Sequence, residues 1–261
     1  MIPIANTVND LRALVGAWKK EGLRIGLAPT MGYLHEGHLS LSERAAKETD
    51  RVVVSIFVNP MQFGPNEDLG NYPRDLERDL KLCEAAGAHL VFHPEPSVMY
   101  PPDFHTKVEV PDLTRGLCGK SRPTHFVGVC TVVCKLFNIV APDRAYFGQK
   151  DAQQLAVIRR MTRDLDIPTQ IVGCPIVREA DGLAKSSRNV YLRPEERVAA
   201  LVLNRSLRLA ENAVAKGEKD SRALTALIRS AMAEEPLVRE DYIEIVDPDS
   251  MRPLPSVAGP T

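Results

Sequence analysis

The sequence predicts an α/β fold: a parallel sheet covered by helices on both faces, followed by a smaller C-terminal α+β region. Three observations predict it. Short apolar runs alternate with amphipathic stretches long enough for helices, the pattern of strands joined by crossover helices. The strongest run, "RVVVSIFVN" (51–59), has five β-branched residues in nine, as expected of a buried strand. After about residue 181 the strand-like runs give way to long amphipathic helical patterns.

The elements follow in order. "RIGLAP" (24–29) reads as a strand and "LSLSERAAKE" (39–48) as a helix. After the strand at 51–59 comes a helix, "RDLERDLKLCEAAG" (74–87), ending on Gly87 as a C-cap. "HLVFHP" (89–94) is a strand, and "KVEV" (107–110) reads as a short additional one. "FVGVCTVVCKLFNIV" (126–140) is apolar all round, and its length favours a buried helix over a strand. "RAYFG" (144–148) is a strand, "DAQQLAVIRRMTRDL" (151–165) a helix and "TQIVGCPIV" (169–177) a strand. One long helix is expected over 193–218, a second over 220–236, and a strand over "DYIEIVD" (241–247). The expected division is a catalytic domain over 1–180 and a small α+β domain over 181–261, with Asp181–Gly182 near the boundary.

Bulk properties narrow the function. The chain has 261 residues, 44% apolar and 26% charged, ordinary for a soluble globular protein. With 33 basic and 34 acidic residues the net charge is −1, so neither nucleic acid nor an anionic membrane is an expected partner. No apolar run reaches the ~18 residues of a membrane span. The N-terminus lacks a basic stretch followed by an apolar core, so no secretory signal is expected. Five cysteines (83, 118, 130, 134 and 174) without a CxxC pair suit a reducing, cytoplasmic setting. Cys130 and Cys134 sit in an apolar run and read as helix packing.

Two loops carry the chemistry. "PTMGYLHEGH" (29–38) follows a strand and opens a helix, and ligands of open parallel sheets bind at such carboxyl ends. A helix N-terminus offers unpaired N–H groups to phosphate. Gly32 and Gly37 let the backbone approach a ligand, and His35 and His38 can donate hydrogen bonds to phosphate oxygens. The segment is neither a Walker loop nor a GxGxxG turn, and the two histidines lack further ligands at a zinc spacing, so no protein metal site is expected. The second loop, "DGLAKSSRNVYL" (181–192), places Lys185, Ser186, Ser187 and Arg188 together; alone, such a run is usually a solvated turn. The pair, His-x-Gly-His after the first strand and Lys-Ser-Ser-Arg after the last, resembles the HxGH/KMSKS-type signature of adenylyl-transferring nucleotide binders, a resemblance that implies a Rossmann-like sheet.

Between the loops, Asn59, Gln62 and Tyr72 follow one strand and suit a small polar substrate. Gly148, Lys150 and Asp151 follow another, with Gln154 one turn into the next helix, and Arg122 and His125 precede the buried helix. On these residues alone three alternatives stay open: a nucleotidyltransferase that leaves AMP in its product, a tRNA synthetase, and a binding module without chemistry.

The segments "PTMGYLHEGH", "SIFVNPMQF", "YPRDLERD", "SRPTHFVGV", "KLFNIVAPDRAYFGQKDAQQL" and "VREADGLAKSSRN" together closely resemble the pantothenate synthetase (pantoate–β-alanine ligase) family. "FVNPMQF" speaks against the nucleotidyltransferase, and the short, near-neutral chain against the tRNA synthetase. The resemblance implies that ATP and (R)-pantoate form an enzyme-bound pantoyl adenylate and pyrophosphate. β-Alanine then displaces AMP, Mg²⁺ accompanies ATP, and the protein is a cytoplasmic homodimer. It implies that His38, His35, Lys150 and Arg188 are catalytic. It places ATP on Pro29, Thr30, Met31, Gly32, Tyr33, Leu34, His35, Glu36, Gly37 and His38, on Gly148, Gln149, Lys150 and Asp151, and on Val177, Lys185, Ser186, Ser187 and Arg188. It places pantoate and β-alanine on Gln62, Gln154, Asn59, Tyr72 and Arg122. Against the family pattern, Lys185 replaces a common Met or Leu, and Gln149 replaces a common Glu. The chain ends at "PSVAGPT", where members usually continue through a further strand.

Overall fold

The computed structural model describes residues 2–258, so the last residues of "PSVAGPT" lie outside it. Six strands form one all-parallel sheet in the order β1-β4-β3-β2-β5-β6. They are β1 (Ile4–Ala5), β2 (Ile25–Thr30), β3 (Arg51–Ile56), β4 (Leu90–Phe92), β5 (Arg144–Gly148) and β6 (Gln170–Cys174). The helices among them are α1 (Val8–Lys20), α2 (Glu36–Glu48), α3 (Leu76–Ala85), α4 (Pro96–Met99), α5 (Leu117–Ser121), α6 (His125–Val140) and α7 (Ala152–Asp164). β1 and α1 precede the first strand expected from the sequence. The run at 24–29 is therefore the second strand in the chain, and it lies inside the sheet.

Both sheet faces are buried, and the two-residue period sorts the side chains between them. Leu27, Val53, Phe92, Ala145 and Phe147 face one core, shared with α1, α6 and α7. Ala28, Val52, Val54, Val91 and Tyr146 face the other, with Leu41 and Ala45 of α2 and Cys83 of α3. The apolar run at 126–140 is the buried helix expected: twelve of the sixteen residues of α6 are buried. Cys130 and Cys134 pack with the first core.

The chain builds β2, β3 and β4 outward in one direction, then returns to place β5 on the other edge of β2. The strand order therefore reverses between β2 and β5, and a crevice opens at their carboxyl ends. Thr30 ends one wall of it and Gly148 the other.

Three elements differ from expectation. Residues 107–110 form no strand; Val108 N–H is taken by Thr131 Oγ1 at 3.1 Å instead of by a sheet. The helix over 193–218 is two, α8 (Pro194–Ala199) and α9 (Val202–Ala215). At the break, Leu201 N–H bonds to Val198 and Leu203 N–H to Ala200, a tighter winding that no Gly or Pro announces. Residues 241–247 make one isolated antiparallel bridge, Val246 to Pro253, and no strand. Pro248, Pro253 and Pro255 have no N–H to donate, so a ladder cannot extend there. α10 (Ser221–Ala233) packs along α9. Among the described residues no helix is long and apolar enough to cross a membrane.

Candidate active site

The crevice between β2 and β5 contains a cavity of about 190 Å³. Its lining includes Pro29, Thr30, Met31, His35, Gly37, His38, Asn59, Gln62, Tyr72, Gly148, Lys150, Asp151, Gln154, Val177 and Lys185. Residues from four strand ends thus meet in one space.

The β2–α2 turn makes the first wall. Gly32 and Tyr33 both take left-handed backbone angles, φ +84° and +50°. Tyr33 is not glycine, so the turn is held there by its surroundings. His35 is the N-cap of α2: its Nδ1 accepts from Gly37 N–H at 3.1 Å. A Cβ on residue 37 would stand 2.9 Å from His35 Cε1, which explains Gly37. His38 reaches back, its Nδ1 accepting from His35 N–H at 3.4 Å, and the two rings lie 4.0 Å apart.

These bonds fix the chemistry of both imidazoles. A backbone N–H can only donate, so each Nδ1 must hold a lone pair and each Nε2 the proton. Desolvation by the cleft walls pushes His38 down to about 3, with His35 and Lys150 adding to the effect. Burial and the Lys150 charge push His35 down to about 4. Both rings are therefore neutral Nε2–H donors near pH 7. A stability effect follows. Unfolded, each ring takes up a proton near pH 6.5; folded, the pair resists to about 4 and 3. The unfolded chain binds more protons in that window, so stability must fall as pH drops through it. His89 and His125 are also lowered by burial and act in the same direction. The urea midpoint is expected to fall between about pH 7 and pH 5, and less steeply in His38→Gln. Identical slopes would mean that His38 is not desolvated as described.

The second wall is polar and tightly paired. Asn59 is 1% exposed. It donates to Gln62 Oε1 at 3.1 Å and to Gly128 O at 3.0 Å, and accepts from Tyr100 O–H at 2.8 Å. The Gln62 backbone carbonyl accepts from the His125 ring at 2.9 Å. Its side-chain amide approaches Met31 Sδ at 3.0 Å. Val129, Val132, Val133 and Leu136 of α6 close the base with apolar groups.

Not every residue named from the sequence lines this cavity. Arg188 lies beside it, in a two-pronged pair with Asp68 at 2.9 Å and over the rings of Phe63 and Tyr72. Arg122 pairs with Glu67 and lines a neighbouring cavity of about 590 Å³, as does Gln149. Ser187 donates to Tyr33 O at 3.0 Å, tying the second loop to the first. Ser186 caps the turn by accepting from Arg188 N–H. Lys185 sits between Glu36 and Glu179, 2.9 Å from each, and both raise its pKa. Val177 O already accepts from Lys185 N–H at 3.0 Å. Leu34 is buried.

Sequence reasoning missed Glu67, Asp68, Asp79, Tyr100, Gly128 and Glu179. Asp79 left a signal: Leu76, Leu80 and Cys83 mark the inward face of α3, and Asp79 falls on that face.

Comparison with known proteins gives a consistent picture. A family model described as Pantoate-beta-alanine ligase matches residues 3–259. The pantothenate synthetase of Enterococcus faecalis is 59% identical over 249 residues, 95% of this chain and 88% of that protein. The one from Ruminiclostridium cellulolyticum is 57% identical over 255 residues, 98% of this chain and 90% of that protein. The crystal structure of pantothenate synthetase from Thermus thermophilus superposes with a TM-score of 0.92 at 48% identity, covering 98% of this chain and 91% of that one. A pantoate-beta-alanine ligase from Francisella tularensis, complexed with beta-gamma ATP and beta-alanine, has a TM-score of 0.77 at 36% identity and covers 88% and 86%. By sequence and by fold alike, the chain belongs to the pantoate–β-alanine ligase family, ligases that use ATP.

Proposed function

We propose that the chain joins (R)-pantoate to β-alanine through an enzyme-bound pantoyl adenylate. One observation carries the reading: a single cavity is lined by two neutral imidazole donors, by Lys150, and by the amides of Asn59, Gln62 and Gln154. The cationic and N–H-rich wall suits the phosphates of ATP, and the amide wall suits a hydroxy acid. The ligands in the Francisella tularensis complex support the same reading.

In the first step a pantoate carboxylate oxygen attacks the α-phosphorus, and the bond to pyrophosphate breaks. In the second, the β-alanine amine attacks the acyl carbon, AMP leaves, and the amine loses a proton to solvent. No protein nucleophile is required. His35 and His38 donate Nε2–H to phosphate oxygen as negative charge gathers there, and Lys150 offsets the meeting of two anions. Lys185, Ser186, Ser187 and Arg188 form a closing loop. They belong to residues 181–261, which act as a second domain that keeps water from the anhydride. Arg188 and Arg122 would have to exchange Asp68 and Glu67 for substrate anions.

Mg²⁺ is proposed to arrive on ATP. Asp151 lines the cavity, and among the described residues no group of three acidic, histidine or cysteine side chains is placed to hold an ion. A cation that takes a carboxylate or two, phosphates and water fits that donor set. When bound it would supply neutralisation of phosphate charge. A homodimer in the cytoplasm completes the proposal.

The deciding experiment is pantoate-dependent ATP–pyrophosphate exchange without β-alanine. Exchange that requires pantoate supports the adenylate; none, in folded protein that binds ATP, removes it. Gln62→Ala is expected to raise the KM for pantoate at least about 10-fold, with that for ATP little changed. Equal losses for both substrates would take Gln62 out of the pantoate wall.

A further inference from the structure

We propose that Asp79 is a positioning residue for the nucleotide: its carboxylate holds the turn that presents His35 and His38 and that receives Ser187 of the closing loop. The proposal rests on the nucleotide reading given above.

The side chain lies on α3, outside the cavity lined by His35, His38 and Lys150. It is 1% exposed, yet it is an acid. Buried carboxylates persist where hydrogen bonds replace water. Here each oxygen has one: Oδ2 accepts from Tyr33 N–H and Oδ1 from Leu34 N–H, both at 2.7 Å. Burial pushes the carboxyl's pKa up, and these two short bonds, with the Arg78 guanidinium 3.8 Å from Oδ1, act against that rise. They fall on two adjacent residues of the β2–α2 turn, immediately before His35.

The same turn is under conformational constraint. Gly32 and Tyr33 are both left-handed, which costs a residue with a Cβ, and the carboxylate compensates by gripping the Tyr33 peptide. The fit is close: a Cβ on Gly32 would stand 3.1 Å from Asp79 Oδ2 and 3.0 Å from Ile56 Cγ2. The guanidinium of neighbouring Arg78 lies over the Tyr33 ring, 5.3 Å from its centroid.

Tyr33 is consequently a junction. Its N–H is held by α3 and its C=O accepts from Ser187. The carboxylate thereby sets both the entry angle of α2, which carries the imidazoles, and the carbonyl on which the second loop docks. Asparagine in its place has one accepting oxygen and one donating NH₂. One of the two backbone N–H groups would then face a donor, and the turn would shift.

The test compares wild type, Asp79→Asn and Asp79→Glu. The second variant keeps both accepting oxygens but sets them one methylene further out, and guards against a misfolded first variant. Circular dichroism checks the fold, and KM and kcat are measured separately for ATP and pantoate. Displacement of this order costs up to about 100-fold. The expected result is a loss of at least about 10-fold in kcat/KM for ATP, with the KM for pantoate within about twofold of wild type. Amide hydrogen exchange at Tyr33 and Leu34 should accelerate in Asp79→Asn while α6 stays protected. Unchanged kcat/KM for ATP in a folded variant overturns the proposal. So does equal damage to both substrates, which would make Asp79 a general stability residue. If Asp79→Asn does not fold, an ATP-specific loss in Asp79→Glu supports the proposal and its absence overturns it. Wild type that binds ATP but shows no pantoate-dependent exchange would instead overturn the adenylate reading, and wild type that does not bind ATP would overturn the nucleotide reading itself.

Discussion

Replacing His38 with alanine is expected to slow pantoyl-adenylate formation by about 10²–10³-fold, the usual cost of losing one preorganised donor to a developing oxyanion. The expectation rests on geometry. The His38 ring lines the cavity and is held as the Nε2–H tautomer by His35 N–H. Its low proton affinity keeps it neutral, which suits the proposed role of hydrogen-bond donor better than that of an acid. The substitution also removes one acceptor from the start of α2, at about 1 kcal/mol, which is too little to unfold a domain of this size. Exchange of labelled pyrophosphate into ATP with saturating pantoate measures the step directly. His38→Gln, which keeps an accepting oxygen and an N–H, should recover part of the loss. A rate within about threefold of wild type in the alanine variant would strip His38 of the role assigned by analogy to other oxyanion donors.

Gly128→Ala is expected to injure both stability and pantoate use. An added Cβ at this position would stand 2.5 Å from Gln62 N and closer still to the carbonyl carbon and oxygen of Met61. All three are backbone atoms, so no side-chain rotation relieves the contact. Either α6 moves or the segment carrying Asn59 and Gln62 moves. Overpacking of this kind costs about 1–3 kcal/mol. Gly128 O also receives the Asn59 amide at 3.0 Å, so the amide wall shifts with it. A lower urea midpoint together with a KM for pantoate raised about 10-fold or more is expected. Wild-type values for both would mean that helix and loop do not approach so closely.

The sequence made the β2–α2 and second loops legible because their residue types have few other uses. Two histidines and two glycines between a strand and a helix form a sharp pattern, and the fold brings His35, His38, Lys150, Gln62 and Gln154 to one cavity. The sheet was legible for the same reason: buried parallel strands leave continuous apolar runs. What escaped depends on contacts between distant segments. Asp79 reads as one more charge on an acidic-basic helix until its two backbone partners are seen. Glu67 and Asp68 read as loop solubility until each is found on an arginine. The lost strand at 241–247 has the right composition but no partner ladder, and composition cannot supply one.

The return of the chain to β2 has a further consequence, for the time at which the site comes into being. β5 docks beside a strand laid down long before: Ile25 N–H bonds to the Asp143 carboxylate across 118 residues of sequence. Closing so long a loop costs entropy before any contact repays it, and such pairings form late. A nascent chain that ends short of residue 144 owns the histidine turn, Asn59 and Gln62 but lacks β5 and the Lys150 and Gln154 that follow it. The crevice is therefore assembled in one late event, and phosphate-binding competence should emerge together with the closure of the whole sheet.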